Sequence, residues 1–246
     1  LNTADNSISA KIDVGERPQS LAFDSTNNRM YVTNYNDNTV SVISTATNSV
    51  IATVSVGEAP NGIAFDSTNN RMYVTNIVDD TVSVIDTATN SVIATVSVGD
   101  VPWVSPGFDS ANNRMYVLNN SLSSSTVSVI STATNSVIAT VSVGSSNPGP
   151  GTGLAFDSTN NRMYVPNEGD DTVSVIDTAT NSVIATVPVG DSPHDIVFDP
   201  VNNRMYVVNK GDDTVSVISV TSTETSTESK KRSGACGFDR DCTAPR

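Results

Sequence analysis

Five near-identical repeats, each carrying four short β-type runs joined by turn residues, predict an all-β, five-bladed β-propeller with four antiparallel strands per blade. The repeat is the first observation. Five segments align almost without gaps: LAFDSTNNRMYVTN from Leu21, IAFDSTNNRMYVTN from Ile63, GFDSANNRMYVLN from Gly107, LAFDSTNNRMYVPN from Leu154 and IVFDPVNNRMYVVN from Ile196. All five methionines of the chain (Met30, Met72, Met115, Met163 and Met205) occupy one position of this unit. The second observation is strand chemistry, because Val, Ile, Thr and Tyr dominate the runs between turns, as a pleated surface prefers. The third is that no helical stretch separates the runs, whereas parallel strands would need crossover connections.

Taken in order, strand A is the short LAF-like run, strand B is RMYV, strand C is TVSVI and strand D is SVIATVSV. Asp-Ser-Thr-Asn-Asn between A and B offers Asp for an Asx-turn and Asn for left-handed backbone. Asp79-Asp80, Asp170-Asp171 and Asp212-Asp213 tighten B to C, and Thr-Ala-Thr-Asn joins C to D. Runs such as Met-Tyr-Val are apolar at successive positions, which suits a sheet covered on both faces. A Val-Gly pair closes each D strand, at Gly15, Gly57, Gly99, Gly144 and Gly190.

The two ends of the repeat array are out of step. Asn6 to Gly15 reads NSISAKIDVG and matches NSVIATVSVG, a fourth strand, while the fifth unit stops after its third strand at Val220. The expectation is that the N-terminal strand at 6–15 pairs with the C-terminal blade, closes the ring and covers two bare edges. The alternative is donation of that strand to another molecule. The propeller then spans residues 1–220, and residues 221–246 form a Ser/Thr/Glu-rich linker and a Cys-containing tail.

The net charge of −13 argues against a nucleic-acid partner, which would call for a basic face. No apolar run is long enough to span a membrane. Cys236 and Cys242 are spaced for a small disulfide loop in an oxidising compartment, the other reading being an unpaired tail. Two cysteines and one distant histidine do not make a zinc site, so no metal and no cofactor is assigned. Asn119-Asn120-Ser121 is a glycosylation sequon in the link between strands B and C of the third unit, which makes Asn119 a candidate acceptor exposed at the surface.

The phrases NRMYVTN and DTVSVIDTATNSVIATV, with Tyr31-Val32-Thr33-Asn34 and Tyr73-Val74-Thr75-Asn76, resemble the YVTN-family β-propeller repeat. The resemblance covers residues 6 to 220. It implies an exported protein of the kind found in archaeal surface layers and on bacterial cell surfaces, located outside the cell. Relatives more often carry seven blades.

Near-identity of the units narrows the search for a specific site to the positions that differ. Just before strand A these are Gln19, Asn61, Trp103, Thr152 and His194, with Asp195 the one acidic exception beside them. They form the candidate ligand or partner rim, against the alternative of drift in exposed loops. Asp24, Asp66, Asp109, Asp157 and Asp199 repeat in every unit and are read as turn residues, not as a catalytic pair, which would break the symmetry. The His194–Asp195 pair without a nucleophile or metal cluster does not make an active site. The expected function is a non-catalytic structural or protein-interaction module of a cell surface, surface layer or filament. Its expected partners are other surface proteins or glycans, with self-assembly a further option. The rivals are a carbohydrate-binding propeller, poorly supplied with aromatic rim residues beyond Trp103 and Tyr35, and a propeller hydrolase or lactonase.

Overall fold

The computed structural model describes residues 7–120, 125–146 and 153–220, which hold strands and no helix. The first sheet runs β1 (Pro18–Asp24), β2 (Arg29–Asn34), β3 (Thr39–Ser44), β4 (Ser49–Ser55). The second is β5 (Pro60–Asp66), β6 (Arg71–Asn76), β7 (Thr81–Asp86), β8 (Ser91–Ser97). The third is β9 (Gly107–Asp109), β10 (Arg114–Asn119), β11 (Thr126–Ser131), β12 (Ser136–Ser142). The fourth is β13 (Ala155–Asp157), β14 (Arg162–Asn167), β15 (Thr172–Asp177), β16 (Ser182–Pro188). The fifth has three strands, β17 (Pro193–Asp199), β18 (Arg204–Asn209) and β19 (Thr214–Ser219). All pairings are antiparallel between sequence neighbours, so each sheet is the meander expected from the repeat.

The turns form as their residues dictate. Asp24 Oδ1 accepts the amides of Thr26 and Asn27 at 2.9 and 3.0 Å, and its Oδ2 accepts the Asn27 side-chain amide at 2.8 Å. The same cage forms on Asp66, Asp109, Asp157 and Asp199. Asn28, Asn38 and Asn48 then take left-handed backbone at φ 52°, 56° and 50°, one in each turn of the first sheet, which Asn tolerates better than most residues. A bulge at Val42/Ile43 leaves Ile51 out of the β3–β4 ladder, and it recurs at Val84/Ile85, Val129/Ile130 and Val175/Ile176.

Consecutive sheets pack face to face, and the core lies in the seams. Between the first and second sheets, Tyr31, Val40, Val42 and Val54 meet Ile63, Met72, Val74 and Ile85. The next seam repeats the scheme with Tyr73, Val82, Val84 and Val96 against Met115, Val117 and Ile130. Tyr116, Val127, Val129 and Val141 then meet Met163, Val165 and Ile176, and Tyr164, Val173 and Val175 meet Ile196, Met205 and Val207. Each buried Met or Val adds roughly 1.5–3 kcal/mol relative to exposure. The seams therefore account for the apolar runs that lack simple alternation. The Val-Gly pairs have a packing reason too: a Cβ on Gly57 would fall 2.6 Å from Cγ of Asn76, so the chain can cross the next sheet only with Gly there.

The described residues do not show the expected ring closure. Residues 7–15 form no strand, the fifth sheet lacks a fourth, and Val215 and Val217 of β19 are 57 and 49% exposed where Val40 and Val42 are fully buried. At the other end Leu21 is 64% exposed where its equivalent Ile63 is 4% exposed. Lys11 and Asp13 stand where other fourth strands have Thr53 and Ser55, which weakens strand preference. Gly15 is seated against Asn34 and Asp37, as Gly57 is against Asn76 and Asp79.

Candidate functional site

The rim positions sit where the inner strands begin. Gln19 is exposed on β1, and its amide reaches only its neighbour's backbone, Arg17 O, at 3.5 Å. Ser20 donates its amide to Thr33 Oγ1 at 3.0 Å, and that hydroxyl donates to the Asn61 carbonyl at 2.7 Å, so the first and second units are stitched together at the rim. Asn61 is buried, and the Gly62 beside it leaves no room for a Cβ against the Val104–Ser105 backbone. The segment after Trp103 thus packs against the second unit at Gly62. Trp103 is half-buried against the cluster that holds Val104 and Leu118, and among the described residues its buried Nε1 has no partner. Thr152 lies outside the described residues.

His194 begins β17 and faces Glu168 of the fourth sheet, Nδ1 to Oε1 at 3.8 Å, with both side chains mostly buried. Asp195, read from sequence as its partner, instead turns back to accept the amide of Ile196 at 2.8 Å. The His–carboxylate contact is thus between sheets, and Glu168 carries no mark in the sequence that singles it out. Among the described residues, the rim contacts that cross between sheets are the Thr33–Asn61 bond and the approach of His194 to Glu168.

Two hollows are lined by other residues. A groove of about 560 Å³ on the first sheet is lined by Val14, Gly15, Asn34, Asp37, Ser41 and Thr53 among others. A shallower one of about 250 Å³ includes Tyr35, Asn38, Glu58 and Val78. One face of the Tyr35 ring is already taken by Arg17, whose guanidinium carbon is 4.3 Å from the ring centroid. Among the described residues no group of three or more His, Cys, Asp or Glu is arranged to hold a metal ion. No helix among them is long and apolar enough to cross a membrane.

Asn119 requires a correction. It is the last residue of β10 and is 1% exposed, not displayed at the surface. Its Nδ2, the atom a glycan would need, donates to Thr126 Oγ1 and Ser128 Oγ at 3.1 and 2.9 Å. The reason is the repeat: Asn34, Asn76, Asn167 and Asn209 hold strand B to strand C through the same pair of bonds. Cys236 and Cys242 lie outside the described residues.

The most elaborate polar constellation is one the sequence reading passed over. Arg29 Nη1 donates to the Thr87 carbonyl at 2.8 Å, Tyr31 OH donates to Asn90 Oδ1 at 2.8 Å, and Asn27 donates to Thr87 Oγ1 at 3.1 Å. Each of these bonds runs from the first sheet to the C–D turn of the second. Arg71, Tyr73 and Asn69 repeat the clasp on Thr132 and Asn135. Arg114, Tyr116 and Asn112 repeat it on Thr178 and Asn181. Burial pushes the Tyr73 and Tyr116 phenols up to about 12, so they remain protonated donors across the ordinary pH range. The signal was present in the fixed phrases N-N-R-M-Y and T-A-T-N, which read as strand and turn. Only packing reveals that one phrase grips the other in the next sheet.

A scan against protein-family models finds no match, and a search of curated proteins finds none either. Among solved structures the chain is similar to hydrazine synthase of Kuenenia stuttgartiensis, with a TM-score of 0.57 and 16% sequence identity. The similarity covers 87% of this chain and 86% of that one. At that identity it speaks for the fold alone. Together with the repeated antiparallel sheets, it fits a β-propeller.

Proposed function

We propose that the chain is a non-catalytic structural or protein-interaction module of an extracellular surface, surface layer or filament, built from YVTN-type propeller repeats. One observation supports this most. Buried polar side chains recur at the same positions from unit to unit and are engaged in turns and seams: Asp24 in its cage, Asn34 on Thr39 and Ser41, Thr87 in the clasp. A reacting site needs groups that depart from such symmetry, and His194 with Glu168 is the main departure. The YVTN phrases and the Ser/Thr-rich composition favour a location outside the cell.

In the same reading, residues 6–15 supply the fourth strand of the fifth sheet and the ring closes. Its support is that the end faces are unmatched halves of one seam. Asn202, Arg204 and Tyr206 stand at the donor positions of the clasp, and Thr45 and Asn48 at its acceptor positions.

The test is surface labelling of intact source cells with a membrane-impermeant amine reagent, followed by crosslinking and recovery of the chain. Labelled protein crosslinked to an envelope component is expected. A pool protected from the reagent until lysis overturns the reading.

A further inference from the structure

Among the described residues, the outer strand of each complete sheet has no strand paired beyond it. β4, β8 and β12 all read Ser-Val-Ile-Ala-Thr-Val-Ser, and β16 differs only by ending in Pro188. Each presents a Val-Ile pair to solvent, with Ile51, Ile93, Ile138 and Ile184 at 47, 46, 48 and 49% exposure. Soluble proteins ordinarily blunt such edges with Lys, with inward-pointing charges or with Pro. Here the chain carries a net charge of −13, yet none of the four edge strands contains a charged residue. The acidic groups sit instead on the turns, at Asp37, Asp79, Asp80, Asp170 and Asp171. Of the usual devices, only Pro188 and the bulge are used.

The edge sequence is also close to a palindrome. Laid antiparallel on itself about Ala52, it sets Ser49 opposite Ser55, Val50 opposite Val54, Ile51 opposite Thr53, and Ala52 opposite Ala52. Every pair is neutral and most are β-branched, the kind that stabilises neighbouring strands. The bulge at Ile51 bends the edge, so a mate must bend equally, and an identical strand carries the identical bulge.

We propose that these outer strands pair edge to edge with the same strand of a second copy, antiparallel about Ala52, Ala94 and Ala139. The contact is isologous, with one two-fold axis per pair, and uses main-chain hydrogen bonds as in strand augmentation. One such edge is a small interface. Three equivalent edges per chain make the contacts cumulative and allow an extended array. β16 is the poorer edge, because Pro188 removes a donor. The proposal rests on the reading of the chain as a structural module and gives that module its self-contact.

The experiment is sedimentation of the full chain over a range of concentrations, beside a variant with Ile51→Lys, Ile93→Lys and Ile138→Lys. These side chains are half-exposed, so the variant is expected to keep the wild-type melting temperature. The wild-type mass is expected to rise above the 25.7 kDa monomer with concentration, and further at 1 M salt, which screens the acidic repulsion. The variant is expected to remain a monomer. A second measurement places Ala52→Cys in a chain whose Cys236 and Cys242 are replaced by Ser. Residues opposite one another on antiparallel strands have Cα atoms roughly 4.5–5.5 Å apart, within disulfide reach, so mild oxidation should yield a covalent dimer. A wild-type chain that stays monomeric, a Lys variant that still associates, or no covalent dimer overturns the proposal. A surface location found in the labelling test would survive any of these results, so the two readings fail separately.

Discussion

Replacing Met115 by Ala is the sharpest test of the seam as the source of stability. Met115 is fully buried on β10, opposite Phe108 on one side and Ile130 on the other. It shares its cluster with Tyr73, Val82, Val84 and Val96 of the preceding sheet. The substitution removes the thioether arm and leaves a cavity bounded by two sheets, neither of which can collapse without breaking the Tyr73 clasp. Met→Ala changes in such sites cost about 2–5 kcal/mol, and the double-sided packing puts the expectation near ~3 kcal/mol. For a chain of this size that is a fall in Tm of roughly 6–12 °C. The assay is urea unfolding followed by circular dichroism and by the fluorescence of Trp103, the only tryptophan. The midpoint should fall while the slope is unchanged, because the surface exposed on unfolding is the same. A loss below about 1 kcal/mol would refute the claim that the seams carry the fold.

Tyr73→Phe should cost about 1 kcal/mol, since it removes the hydroxyl that donates to Asn135 Oδ1, and a double-mutant cycle with Asn135→Ala should recover that coupling. The raised phenols give a pH signature. The folded value for Tyr73 and Tyr116 lies above the unfolded 10.0, so their contribution is complete below pH 10 and is lost as pH rises towards about 12. Alkaline unfolding with delayed phenolate absorbance should show it, and both Tyr→Phe changes together should lessen it, leaving the contribution of the buried Tyr31 and Tyr164. Gly57→Ala should destabilise by roughly 1–3 kcal/mol, because its Cβ would meet the buried Asn76, and thermal melting would reveal a neutral outcome if the crossing has slack. Met30→Ala tests ring closure. An unfolding cost equal to that of Met115→Ala supports a covered first-sheet face, whereas less than half of it means that the face is open.

Much of the fold was legible because a repeat compounds weak signals. One Asp-Ser-Thr-Asn-Asn phrase is a turn candidate, and five Asp-x-x-Asn-Asn phrases in register leave no other reading. The site was less legible for the same reason. Arg29, Tyr31 and Asn90 recur as faithfully as the turn residues, so nothing in the sequence separates an interaction within a sheet from one between sheets. Asn119 shows the converse error. Its sequon is a local pattern, but the repeat position it occupies commits the side chain to Thr126 and Ser128 inside the sheet.

The sequence by itself determined the strands, the turns that join them and the left-handed Asn positions, because these depend on contacts within a few residues. It also determined that each unit needs a neighbour, since its apolar residues fill both faces of a sheet. Only the tertiary structure decided which polar groups cross the seams and that His194 looks to Glu168 and not to Asp195. Those outcomes turn on which surfaces approach in space. Approach depends on the sum of many packing contacts, and no short stretch of chain encodes it.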